Sequence, residues 1–66
     1  MNNCVAKIRQ QRKESQDAFA KRVNISRTHL SEIENGKADP GGKVMLKIAS
    51  ALNKNVEDIF FVNDVV

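Results

Sequence analysis

Two serine-opened segments, each about two helical turns long and separated by a short turn, constrain this chain more than any other feature. Ser15 precedes QDAFAKRV, and Ser26 precedes RTHLSEIE. A serine hydroxyl at such a position accepts an otherwise orphaned N–H of the first helical turn. Asp17 sits favourably near the positive end of the first segment. Phe19, Ala20 and Val23 form its apolar stripe; Leu30 and Ile33 form that of the second. Asn24 ends the first helix, because Asn tolerates the left-handed backbone that a tight turn requires. Asn35-Gly36 stops the second with the strongest C-cap signal in the chain. The turn between them is about three residues long, which suits a steep crossing of two helices. Apolar Ile25 plugs that turn, and small Ala20 lets the crossing backbones approach.

The remaining residues also read as helix. Val5 and Ile8 begin a helix expected over 3–13, with the Asn3 side chain capping its first turn. The second and third helices are expected over 16–23 and 27–34. A loop follows from Lys37 to Gly42, where Pro40 disfavours helix in the preceding residue. A fourth helix over 42–52 buries Val44, Met45, Ile48, Ala49 and Leu52. A short fifth, over 56–60, packs Val56, Ile59 and Phe60; Asn55 with Asp58 three residues on resembles a capping box. The apolar tail from Phe61 to Val66 forms a short strand or an extended end. Strand signals are otherwise missing. The expectation is an all-α, compact five-helix domain covering residues 1–66.

Size narrows the means of stabilisation. A chain of 66 residues buries a modest core. Its single cysteine, Cys4, allows no internal disulfide, and no Cys/His cluster has zinc spacing. Efficient helix packing and self-association are what remain. A lone thiol fits a reducing compartment. Residues 1–7 lack the apolar run of a signal peptide, and no stretch is long enough to span a membrane. A cytoplasmic location follows as the expectation.

The outer face of the third helix carries the chemistry. With Leu30 and Ile33 turned inward, Arg27, Thr28, His29 and Glu32 point outward or sideways. When two helices cross as these do, the N-terminal residues of the second can meet base edges in the major groove of DNA. Arg grips guanine O6 and N7, Thr touches a thymine methyl, and Glu accepts from cytosine N4. Charge agrees in sign: up to Lys37 there are eight Lys/Arg against four Asp/Glu, and beyond it three against four.

The stretch SQDAFAKRVNISRTHLSEIENGKADP resembles the Cro and phage-repressor (Xre-like) helix-turn-helix family. LKIASALNKNVEDIF is similar to that family's fourth and fifth helices, so the likeness covers about the first sixty residues. It implies a lambda-repressor-like fold and binding to double-stranded DNA. It also implies that Gln16 hydrogen-bonds a phosphate, that Arg27, Thr28 and Glu32 read bases, and that His29 reads bases or touches backbone. Asn35, Lys37 and Lys43 would contact further phosphates. Arg9 would pair with Glu34 beneath the surface. Four positions depart from the family's pattern. Lys13 and Asn24 replace glycines, Glu14 replaces an apolar residue, and Gly41 replaces a Ser or Thr cap.

Phe60, Phe61, Val62 and Val65, with Val66, exceed what a small monomer needs and suggest a homodimer surface; the alternative is a tail folded back on its own core. The function expected is that of a transcriptional regulator, a repressor on a palindromic operator. The same fold used as an antitoxin-like protein-interaction module is the rival. No catalytic residue, metal, cofactor, membrane or small-molecule ligand is expected. There is no nucleophile–base pair and no phosphate-cradling loop, and His29 with Glu32 lacks a further ligand.

Overall fold

Each of the two serines opens a helix. The computed structural model describes residues 2–62. In chain order they form β1 (Asn2–Asn3), α1 (Val5–Gln11), α2 (Gln16–Arg22), α3 (Arg27–Glu34), α4 (Gly42–Leu52), α5 (Val56–Ile59) and β2 (Phe60–Phe61). Ser15 Oγ accepts from Ala18 N at 3.0 Å and Ser26 Oγ from His29 N at 3.0 Å. Val5, Phe19, Leu30, Ile33, Ile48, Leu52 and Ile59 are fully buried and form one core shared by all five helices of the described residues. No helix among them is long and apolar enough to cross a membrane.

The first helix is shorter than the 3–13 expected. Asn3 lies in β1, which pairs antiparallel with β2, Asn2 opposite Phe61 and Asn3 opposite Phe60. Its side chain still serves the helix start: Oδ1 accepts from Val5 N at 3.1 Å, while Nδ2 donates to Ile33 O at 2.8 Å. One asparagine thereby ties α1 to the end of α3.

At its other end α1 stops because Lys13 turns left-handed, with φ 57°. An L-residue with a Cβ is strained there by roughly 1–2 kcal/mol, part of which glycine's greater unfolded-state freedom offsets. Lys13→Gly is therefore expected to raise unfolding free energy by about 0.5–1 kcal/mol, read as a higher urea midpoint with an unchanged slope. No gain would mean that the turn relaxes around lysine without strain. Asn24 and Asn53 also have left-handed φ, 58° and 56°, where asparagine is better tolerated.

Glu14, standing where the family has an apolar residue, is held by an arginine. Arg22 donates Nε to Glu14 Oε2 at 2.7 Å and Nη2 to Oε1 at 2.8 Å. The same guanidinium lies 5.4 Å from the Phe19 ring centroid and donates to Ala51 O at 3.3 Å. The hydrogen bond to Glu14 raises the Arg22 pKa; partial burial opposes this, and the Coulombic attraction of the same carboxylate adds to it. Arg12 Nη2 donates to Leu52 O at 2.6 Å. Two arginines, one capping the end of α1 and one ending α2, therefore satisfy carbonyls at the end of α4 and complement its dipole.

Two further differences concern the C-terminal part. Asn55 occupies the cap position of α5, but its side chain accepts no cap hydrogen bond, so the capping box is not formed. Phe60 is extended (φ −112°, ψ 131°) rather than helical, and Cys4 N donates to Ile59 O at 3.0 Å. The fifth helix ends one residue early because its next residue is taken into the strand pair.

Candidate nucleic-acid interface

The placement of α3 begins in the core. Leu30 and Ile33 are 0% exposed and anchor one side of the helix in the shared core, with α2 packed beside it. At about 100° per residue, this leaves Arg27, Thr28, His29 and Glu32 on the outside, and all four are exposed. The Ser26 cap fixes where the helix starts, and hence which side chains its first turn offers.

Gln16, Arg27, Thr28, Ser31 and Glu32 line one open cavity of about 340 Å³. The fold thus brings one residue expected at phosphate together with three expected at bases. His29 is exposed but does not line this cavity, a position consistent with contact at the edge of the face. Ser31 joins the group although sequence reasoning did not single it out. Its spacing shows it, lying three residues beyond Thr28 and four beyond Arg27 on the same helix face.

A run of polar contacts connects this face to the interior. Arg9 Nε donates to Glu34 Oε2 at 2.8 Å and Nη2 to Oε1 at 3.3 Å. The two side chains are 11% and 5% exposed, so the pair lies beneath the surface. Gln16 Nε2 donates to Glu34 Oε1 at 3.0 Å, and Arg27 Nε donates to Gln16 Oε1 at 3.4 Å. Arg27 is thereby linked, through a long and exposed contact, to the start of α2. A primary amide has two N–H donors; one of Gln16's points at Glu34, leaving the other for an acceptor outside.

The remaining expected contacts lie around this centre. Asn35 caps the end of α3 and donates Nδ2 to Ser31 Oγ at 3.4 Å. Lys37 is exposed, and its backbone N–H donates to Glu32 O at 2.8 Å, which folds the loop back over the helix end. Gly36 permits that return with φ 74°. Lys43 is exposed in the first turn of α4. Among the described residues, no group of three His, Cys, Asp or Glu is placed to hold a metal ion.

Known proteins give the chain its family. A family profile described as helix-turn-helix matches residues 5–59, from the start of α1 to the end of α5. The chain belongs to the Xre-like helix-turn-helix family. An uncharacterised HTH-type transcriptional regulator of Methanocaldococcus jannaschii is 40% identical over 50 residues, covering 76% of each chain. A second, from Archaeoglobus fulgidus, is 38% identical over 50 residues, covering 76% of this chain and 70% of its own. Another from that organism is 34% identical over the same share of this chain. The family is one of HTH-type transcriptional regulators.

Of the residues expected at a dimer surface, Phe60 lies inside the fold rather than on its outside. It is 6% exposed and packs into the chain's own core. Phe61 and Val62 are 46% and 76% exposed. Val65 and Val66 lie outside the described residues.

Proposed function

We propose that this protein is a sequence-specific regulator of transcription, a cytoplasmic repressor that binds a palindromic DNA operator as a homodimer. The observation that carries the reading is the outward polar face of α3. It is fixed by a serine cap and a buried apolar side, and it shares one cavity with Gln16. Arg27, Thr28 and Glu32 would read base edges, with His29 at the margin. Gln16, Asn35, Lys37 and Lys43 would hold phosphates on either side. Phosphate contacts carry affinity and its salt dependence, whereas base contacts carry sequence choice. Exposed Phe61 and Val62 would bring two protomers together, setting the half-sites about 34–36 Å apart.

Selection from random duplex DNA is expected to yield a two-fold symmetric consensus. On that site Arg27→Ala should cost about 1–3 kcal/mol and relax preference at one base position. Lys37→Ala should weaken every sequence alike and make the salt dependence shallower. If Arg27→Ala lowers specific and non-specific affinity equally, Arg27 is not a reader.

A further inference from the structure

A second surface, built from the other end of α2, remains after the DNA-facing side has been accounted for. Lys43, Leu46, Lys47 and Ser50 recur at three- and four-residue spacing along α4, and all four are exposed. Leu46 is 64% exposed, more than any other large apolar side chain in a described helix. Beside it lies an open cavity of about 480 Å³ lined by Arg22, Leu46, Lys47, Ser50 and Ala51. Gln16 and Arg22 are the two ends of α2, so at 1.5 Å per residue this cavity is about 9 Å along the helix from the reading face.

The chemistry of the lining selects an occupant. Its lining holds no carboxylate and two cations, Lys47 and an Arg22 whose Nε and Nη2 already meet Glu14, so that Lys47 carries the uncompensated charge. The Arg22 guanidinium is already ordered by Glu14, Phe19 and Ala51, so a partner would not have to immobilise it. Lys47 makes no ion pair among the described residues. Phosphate alone would account for the cations but not for the leucine between them, which gains nothing from a DNA backbone. An acidic polypeptide with a large apolar side chain uses both.

We propose that the groove formed by the end of α2 and the outer face of α4 docks an acidic protein segment anchored by one apolar residue on Leu46. Carboxylates of that segment meet Lys47 and the exposed edge of Arg22, while its apolar side chain covers Leu46 and Ala51. Because Lys43, expected at phosphate, begins the same stripe, the docked segment would sit close to the DNA without covering α3.

The test is selection of random twelve-residue peptides on the full chain at physiological salt, followed by NMR titration with the synthesised winners. Enriched peptides should be net acidic with a large apolar residue, and shifts should cluster at Arg22, Leu46, Lys47, Ser50 and Ala51. Leu46→Ser and Lys47→Glu should each weaken them by about tenfold or more. Leu46→Ser should leave the circular dichroism spectrum and DNA affinity unchanged. Absence of enrichment, neutral or basic winners, or shifts elsewhere would overturn the proposal. It would equally fail if Leu46→Ser weakened DNA and left the peptides bound, because the face would then belong to the duplex.

Discussion

Truncation of Glu34 to alanine is expected to remove about 3–5 kcal/mol of folding stability. The variant leaves the Arg9 guanidinium beneath the surface with its carboxylate gone and only the Glu14 carbonyl, at 2.8 Å, still accepting from it. A domain of this size rarely has more than about 3–5 kcal/mol in total, so most Glu34→Ala molecules should be unfolded at room temperature. Replacing both partners, as Arg9→Met with Glu34→Leu, should recover most of the loss, since no charge is then left buried. The recovery stops short of complete because Gln16 Nε2 loses its acceptor in both cases. Urea denaturation of the two variants beside the parent measures this. A Glu34→Ala loss below about 1 kcal/mol would mean that the pair behaves as a solvated surface bridge. The ion pair is then better understood as fixing how α1, α2 and α3 meet than as a source of net stability.

What could be read from the chain beforehand divides along the reach of the interactions. Ser15, Ser26, Asn24 and Gly36 act on backbone groups within a few residues, and their roles were visible from identity and position alone. The inward side of α3 was visible for the same reason, because helical periodicity alone separates Leu30 and Ile33 from Arg27, Thr28 and Glu32. The Arg9–Glu34 pair came only through family resemblance, as nothing local joins residues 25 positions apart.

What was not legible depends on distant partners. Asn3 reads as a helix cap, and it does accept from Val5 N; its place in a strand is decided by Phe60, at the opposite end of the fold. By sequence alone Arg12 and Arg22 are two more charges of the basic N-terminal half. Their guanidiniums instead reach carbonyls of α4, 40 and 29 residues away. Glu14 reads as the loss of a core contact, yet Arg22 reaches it with two hydrogen bonds across the α1–α2 turn. Ser31 has an ordinary helical spacing, and only the packing of α2 beside it shows which part of that helix face is enclosed.

Phe60→Ala should destabilise the protomer by about 3–5 kcal/mol, to the same extent at low and at high protein concentration. The reason is that Phe60 lies in the core, 6% exposed, within the apolar cluster to which all five helices contribute. Its neighbour behaves oppositely. Phe61 is 46% exposed on the outer side of β2, and consecutive strand residues face opposite ways. Phe61→Ser should therefore change intrinsic protomer stability by no more than about 0.5 kcal/mol while weakening self-association. Sedimentation velocity across a hundredfold concentration range, together with denaturation at both extremes, separates the two effects. If Phe60→Ala lost stability only where the protein is dilute enough to dissociate, its ring would belong to the contact between protomers. If Phe61→Ser sedimented as the parent does, homodimerisation through this edge would have to be given up. Two adjacent phenylalanines, identical to any scale of hydrophobicity, would thus be divided between folding and assembly by the alternation of a two-residue strand.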